Sequence, residues 1–100
     1  MRVELRAEAR RDLEEGAWFY EGLGQGLGQY FIESVLSDIS LLGVQAGIHS
    51  VVLGLHCKPA KRFPFAIYYA VDRAAATVDV VAVLDCRQDP ERIADRLRRS

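Results

Sequence analysis

Two segments in the second half of the chain constrain the fold most strongly, because together they predict a β-hairpin. From Phe63 onward, bulky apolar residues alternate, which places on one strand face Phe63, Phe65, Ile67, Tyr69 and Val71. Residues 77–84 are rich in β-branched side chains, as expected for a strand buried on most sides. The short connector of residues 72–76 makes an antiparallel pair the expected arrangement.

Two arginines flank this predicted hairpin. Arg62 precedes the first strand and Arg87 follows the second, so both should lie at the same end of the sheet although they are 25 positions apart. Guanidinium groups bind carboxylates and phosphates well, and no acidic run surrounds these two. The pair therefore predicts a site for an anion or an acidic partner.

Charge is divided unevenly along the chain. Residues 1–50 carry four Arg against eight Asp or Glu, whereas residues 51–100 carry nine Lys or Arg against six Asp or Glu. A cationic surface could therefore form from Lys58, Lys61, Arg62, Arg87, Arg92, Arg96, Arg98 and Arg99, and we expect the first six of these to bind a partner or target. The sequence pI of about 6.1 is far below that of a nucleic-acid-binding domain, so we expect no direct DNA binding by the isolated chain.

The length of 100 residues predicts a single domain spanning residues 1–100. No apolar run approaches the ~20 residues of a membrane span, and the N-terminal residues lack the apolar core of a signal peptide. We therefore expect a cytoplasmic protein that does not bind membranes. In that compartment Cys57 and Cys86 should be reduced thiols, since disulfides are rare there.

A metal site is not expected. The residues whose side chains could ligate a metal ion are His49, His56 and Cys57. His56 and Cys57 are adjacent, however, so a strand would point them to opposite faces and they could not easily share an ion. No motif in the sequence predicts a cofactor.

The first half of the chain has a helical period after a short strand at residues 3–5. Small and apolar residues recur at intervals of three and four from Ala9 to Leu23, with the charged residues, Asp12 among them, outside this stripe. A second helix is predicted over 27–42. The glycine-rich segment 22–28 between them favours a tight turn, so the two helices should pack as a hairpin.

The remaining elements complete an α+β pattern. Residues 48–56 are predicted to form one strand, residues 57–60 a turn, and residues 91–99 a short helix after Pro90. The order is β-α-α-β-β-β-α. Grouped helices and strands favour an antiparallel sheet of about four strands, covered by the helical hairpin and followed by a short C-terminal helix.

In this order the residues resemble a known family. The segments that carry the resemblance are Ala9-x-x-Asp12-Leu13, Trp18-x-Tyr20, Leu27-Gly28-x-x-Phe31, Arg62-Phe63-Pro64-Phe65-x-Ile67-x-Tyr69 and Val83-Leu84-x-x-Arg87-x-Asp89-Pro90. Taken together, and over nearly the whole chain, they are similar to the RelE/ParE superfamily of bacterial toxins. The resemblance implies the toxin of a type II toxin–antitoxin pair, silenced by a cognate antitoxin.

The resemblance implies two alternative targets. ParE-like members inhibit DNA gyrase by binding it, whereas RelE-like members cut mRNA in the ribosome with a basic cluster and usually a C-terminal tyrosine. Arg62 and Arg87 match the basic positions, and would be the catalytic cations of a ribonuclease. This chain departs at Asp85, Gln88 and Ile93, where many relatives carry histidine, arginine and an aromatic residue. These departures favour the ParE-like function.

Elementary chemistry favours the same alternative. Cutting RNA requires a base for the 2′-OH proton and an acid for the leaving oxygen, and arginine stays protonated. His56 is better explained as a surface or structural residue, and Asp85 is expected to hold the Arg87 guanidinium. Of the helix aromatics Trp18, Tyr20 and Tyr30, which could anchor a partner, we expect Tyr20 to lie in the core.

Overall fold

The computed structural model describes residues 1–100 and has the predicted α+β architecture. Its elements, in chain order, are β1 (Arg2–Leu5), α1 (Ala7–Leu23), α2 (Leu27–Ser40), α3 (Leu42–Gln45), β2 (Val51–Val52), β3 (Leu55–Pro59), β4 (Phe65–Asp72), β5 (Thr77–Asp85) and α4 (Pro90–Arg98). The N-terminal strand, the helical hairpin and the C-terminal helix are all confirmed. None of the helices combines the length and apolar character that crossing a membrane requires.

The sheet has five strands in the order β1-β5-β4-β3-β2. β4 and β5 form the predicted antiparallel hairpin, with Phe65 opposite Asp85 and Asp72 opposite Thr77. β1, however, pairs with β5 in parallel, so the expectation of a purely antiparallel sheet was wrong. Residues 6–76, which contain the helical hairpin and three other strands, separate β1 from β5, and so long a connection allows the two strands to be parallel.

The predicted strand over 48–56 is in fact interrupted by a turn. Leu53 and Gly54 both have positive φ, 50° and 82°, and they connect β2 to β3 in a tight hairpin. Residues 57–59, predicted as a turn, instead continue β3 alongside β4. The apolar pattern runs through the turn without a break, which is why it resembled one strand.

The helical hairpin packs on one face of the sheet. Phe31 of α2 is fully buried against Phe65, with ring centroids 4.9 Å apart, and Tyr20 of α1 stacks on Phe31 at 5.3 Å. Tyr20 is 9% exposed, which confirms its predicted place in the core. Leu23, predicted on the same stripe, is 65% exposed because α1 ends there, beyond the edge of the core.

The opposite face of the sheet is covered by α4. Leu97 is buried and Ile93 half-buried against an apolar group made of Ala66, Tyr68, Val81, Ala82 and Leu84. Asp89 caps the helix by accepting a hydrogen bond from the Glu91 backbone N–H at 2.9 Å, and Pro90 occupies the first turn. Ile93 therefore packs the last helix onto the sheet.

The two long helices approach closely because glycines lie at their contacts. A Cβ built on Gly16 would lie 2.6 Å from two ring carbons of Phe31, and one on Gly28 would lie 2.7 Å from the carbonyl oxygen of Ala17. The Glu21 carboxylate accepts hydrogen bonds from the backbone N–H groups of Gly26 and Gly28, which lowers its pKa. It thereby satisfies donors at the start of α2, where Gly26 offers no side-chain cap.

Substitution of two glycines of α1 tests this packing. Gly16→Ala should lower the free energy of unfolding by about 1–3 kcal/mol, because the new methyl group overlaps the buried Phe31 ring. Gly22→Ala is the matched control: nothing lies within 4 Å of the added Cβ, and the helix should gain about 0.5–1 kcal/mol. Urea denaturation measures both values. Equal stability of the two variants would contradict the close helix contact.

Candidate functional site

The basic end of the β4–β5 hairpin is the first candidate site. The Cys86 backbone N–H donates to the Pro64 carbonyl at 2.8 Å, which holds together the segments that carry Arg62 and Arg87. Arg62 is exposed and takes part in none of the five ion pairs of the chain. It is therefore a cation whose charge is directed to solvent.

Arg87 is exposed but held in a fixed orientation. Its Nε and one terminal nitrogen donate to the two carboxylate oxygens of Asp85 at 3.0 and 2.8 Å, as predicted, and that nitrogen also lies 3.5 Å from the Tyr20 hydroxyl. The Arg87 guanidinium lowers the pKa of Asp85, and Asp85 in turn raises the pKa of Arg87. The Arg87 side chain remains 56% exposed, so it can still contact a ligand.

Four of the six predicted binding residues face solvent: Lys61, Arg62, Arg87 and Arg92. We name these four the basic strand end. Lys61 also contributes to the structure, since its backbone N–H donates to the Asp38 carboxylate at 2.9 Å.

The other two predicted binding residues are engaged within the chain. Lys58 is 8% exposed, and its Nζ donates to the Asp38 carbonyl at 2.7 Å and to Gln45 Oε1 at 2.8 Å. Burial lowers the pKa of Lys58, partly opposed by the negative charge of Asp38. Arg96 makes a bidentate pair with Asp12 at 2.8 and 2.7 Å. These contacts give both residues a structural role, which charge counting along the sequence does not reveal.

Asp12 joins three elements of the fold. Its Oδ2 accepts a hydrogen bond from the Val83 backbone N–H at 3.0 Å, on the side of β5 that β1, ending at Leu5, leaves without a partner strand. The same carboxylate receives both terminal nitrogens of Arg96 from α4. Asp12 is 8% exposed, so its predicted position outside the buried stripe of α1 was wrong. The helical period alone could not identify it.

A groove runs between α1, the free side of β5 and α4. Its volume is about 360 Å³, and its walls include Glu15, Phe19, Leu84, Gln88, Arg92 and Arg99. The Asp12–Arg96 pair also lines the groove, while Asp85 connects it to the basic strand end. Because both acidic and basic side chains line this groove, it is suited to a polar peptide segment.

Apolar side chains on the helical hairpin form a second exposed surface. Trp18 is 80% exposed and Tyr30 45% exposed, so these two predicted aromatics are available to a partner, whereas Tyr20 is not. Phe19, which the sequence interpretation did not single out, is 54% exposed. A shallow groove of about 280 Å³ lies beside Trp18 and is lined also by Ala17, Gly28 and Ile32. Aromatic anchors next to a groove are typical of protein interfaces.

The tyrosine and thiol groups near the α4-covered face of the sheet are poor acids at neutral pH. Burial raises the pKa of Tyr68 to about 12, and it also raises the pKa values of the Cys57 and Cys86 thiols.

His56 lies across from Tyr69, stacks on its ring and uses its Nδ1–H to donate to the His49 carbonyl. His56 is half-buried on the sheet face that α1 and α2 cover, and these contacts give it a structural role.

Breaking the Asp12 contacts should cost more stability than breaking an exposed ion pair. Asp12→Ala should lower the free energy of unfolding by about 2–4 kcal/mol, because it leaves the Arg96 charge and the Val83 N–H without their partner. Asp95→Ala is the control, since its pair with Arg98 is 59–69% exposed and should contribute less than ~1 kcal/mol. Chemical denaturation gives both values. A loss at Asp12 no larger than that at Asp95 would contradict the structural role.

Of the comparisons with known proteins, the one with solved structures found similar chains. No protein-family model matches the sequence, and no curated protein is significantly similar to it. Among solved structures, the chain is similar to one from the chromosomal ParDE TA system of P. aeruginosa. The TM-score is 0.71 at 18% sequence identity, over 83% of this chain and 92% of the other. At this identity the comparison shows a shared fold, and that fold is the one that the resemblance in sequence predicted.

Proposed function

We propose that this chain is the toxin of a type II toxin–antitoxin pair and is neutralised by a cognate antitoxin in the cytoplasm. The observation that carries the proposal is the fold shared with a chain of a ParDE system over most of both chains. The ordered motifs from Ala9 to Pro90 support it independently, because they resemble the same superfamily.

The surface of the molecule is suited to an antitoxin segment that is acidic and carries apolar anchors. The basic strand end presents four cations, and the groove beside it leads to the exposed ring of Phe19. An acidic, partly disordered segment with apolar anchors would complement both features and would order on binding. We infer a complex with one antitoxin per toxin.

We further propose a ParE-like mode of action, in which the chain inhibits an essential protein such as DNA gyrase by binding it. Hydrolysis of RNA would need a base and an acid beside Arg62 and Arg87. The groups beside Arg87 are an Asp85 already paired with it, the Cys86 thiol of raised pKa, and the hydroxyl of the core residue Tyr20. Ile93, at the position that is aromatic in many relatives, packs against the sheet. These features favour protein binding over catalysis.

The alternative is a RelE-like endoribonuclease that acts on ribosome-bound mRNA. It is favoured by one observation, the arrangement of Arg62 and Arg87 at a common strand end. The same cations would stabilise the charged transition state of RNA cleavage. Two assays on the purified chain separate the alternatives: supercoiling by gyrase, and cleavage of mRNA on ribosomes. Our proposal predicts inhibition in the first and no cleavage in the second.

Substitution of the two arginines tests the site. Arg62→Ala and Arg87→Ala should each weaken gyrase inhibition and growth arrest at least tenfold, with about 1 kcal/mol or less lost in stability, because both side chains are on the surface. Arg73→Ala is the matched control, since that arginine is exposed at the opposite end of the same hairpin. The growth arrest should be relieved by co-expression of the adjacent antitoxin gene.

Two results would contradict the proposal. Codon-specific mRNA cleavage by the unmodified chain, without effect on gyrase, would establish the ribonuclease alternative. Full activity of both arginine variants would show that Arg62 and Arg87 are ordinary surface residues.

A further inference from the structure

The outer strand β2 leaves one backbone pair free at the edge of the sheet. In the tight β2–β3 hairpin Val52 is opposite Leu55 and Val51 is opposite His56. The residues that flank such a turn bond to each other, and the next bond runs from the Cys57 N–H to the Ser50 carbonyl at 2.8 Å. The N–H and C=O of Val51 therefore point away from β3. Since β2 is the last strand of the sheet, they point to solvent.

The exposed side chains nearest to Val51 in sequence are apolar, and the Arg73 guanidinium lies beside this segment at Gly47. Residues 39–55 include no Asp, Glu, Lys or Arg. We name as the β2 patch four exposed side chains of this stretch: Ile48 (71% exposed), Val51 (61%), Val52 (39%) and Leu53 (52%). Proteins usually protect an open sheet edge with charges. The opposite edge has such protection, because β1 carries the exposed Arg2–Glu4 ion pair.

We propose that the β2 patch binds a second copy of this chain, with the two β2 strands pairing antiparallel about a twofold axis at Val51. An antiparallel pair of identical strands has twofold symmetry, so Val51 would face Val51 of the other copy and exchange both backbone hydrogen bonds. The four side chains of the β2 patch carry no charge. Their contact with the same four side chains of a second copy would therefore bury no unpaired charge among them and bring no like charges of theirs together. The two sheets would then be continuous across the dimer.

The β2 patch suits a second copy better than the antitoxin proposed above. Residues 39–55 offer no cation of their own to an acidic segment, and Arg73 lies against Gly47 rather than at the Val51 edge. The basic strand end lies at the β4–β5 end of the sheet, two strands away from β2. Four aliphatic side chains present several hundred Å², less than the ~800 Å² that each partner contributes to a standard interface. The dimer should therefore be weak and concentration-dependent.

The segment before β2 is held in place, so it would lose little conformational freedom on pairing. The Tyr69 hydroxyl accepts a hydrogen bond from the Gly47 N–H and shares another with His49 Nδ1. His56 Nδ1–H donates to the His49 carbonyl at 2.7 Å. These bonds anchor residues 47–49 to β3 and β4 and present the strand edge in advance, which reduces the entropy cost of association.

Sedimentation of the purified chain from micromolar to several hundred micromolar concentration tests this proposal. The average mass should rise from the 11.2 kDa of one chain toward twice that value. Val51→Lys should raise the dissociation constant at least tenfold, because it places two like charges at the twofold axis. Val51→Pro should do the same by removing the free N–H. Leu23→Lys is the control: Leu23 is 65% exposed on α1, outside the β2 patch, and its replacement should leave the dimer intact.

Circular dichroism verifies that each variant is folded, and a variant that fails to fold is replaced by Ile48→Lys at the edge of the patch. An unmodified chain that stays monomeric across the range would overturn the proposal. So would a dimer that resists the lysine variant, or one that dissociates in Leu23→Lys instead. A β2 patch that binds only the antitoxin would also overturn it, and would be seen as a monomer that loses antitoxin binding in Val51→Lys. The gyrase assay is independent of these outcomes.

Discussion

One buried carboxylate connects the separate layers of this molecule. Asp12 accepts the Val83 N–H on the side of β5 that lacks a partner strand, and it holds Arg96 of α4 in a bidentate pair. An unpaired backbone donor at a buried position is costly, and so is an unpaired buried charge. The single carboxylate of Asp12 provides a partner for the Val83 N–H and for the Arg96 guanidinium. It links the helical hairpin on one face of the sheet to α4 on the other.

The position of α4 determines which face of the sheet is covered and which side chains remain exposed. With Ile93 and Leu97 packed on the sheet, this face is apolar and closed, while the arginines of the strand end remain exposed beside the groove. The chain thus presents cations and aromatic side chains on its surface, while the raised pKa values of Tyr68 and Cys57 make these two groups unsuited to proton transfer. Such surfaces are suited to binding macromolecules. This is the physical basis for proposing inhibition by contact.

Most of the fold could be predicted because local patterns agree with the packing. The alternation from Phe63 and the glycines between the helices each specify one arrangement. The turn at Leu53 was missed because the apolar pattern continues through it, and the parallel direction of β1 depends on a crossover that strand periodicity does not encode. In the site, Arg87 and Asp85 were predictable from nearness in sequence. Lys58 and Asp12 were not, because their partners lie at least 13 residues away.

Hydrogen exchange at the Val83 amide is the most direct test of the role of Asp12. Measured by NMR, this amide should exchange about as slowly as the buried amides of the β4–β5 pairs, although it lies on the free side of β5. In Asp12→Ala its exchange should accelerate more than theirs. Rapid exchange at Val83 in the unmodified chain, or equal acceleration at all of these amides in the variant, would contradict the account.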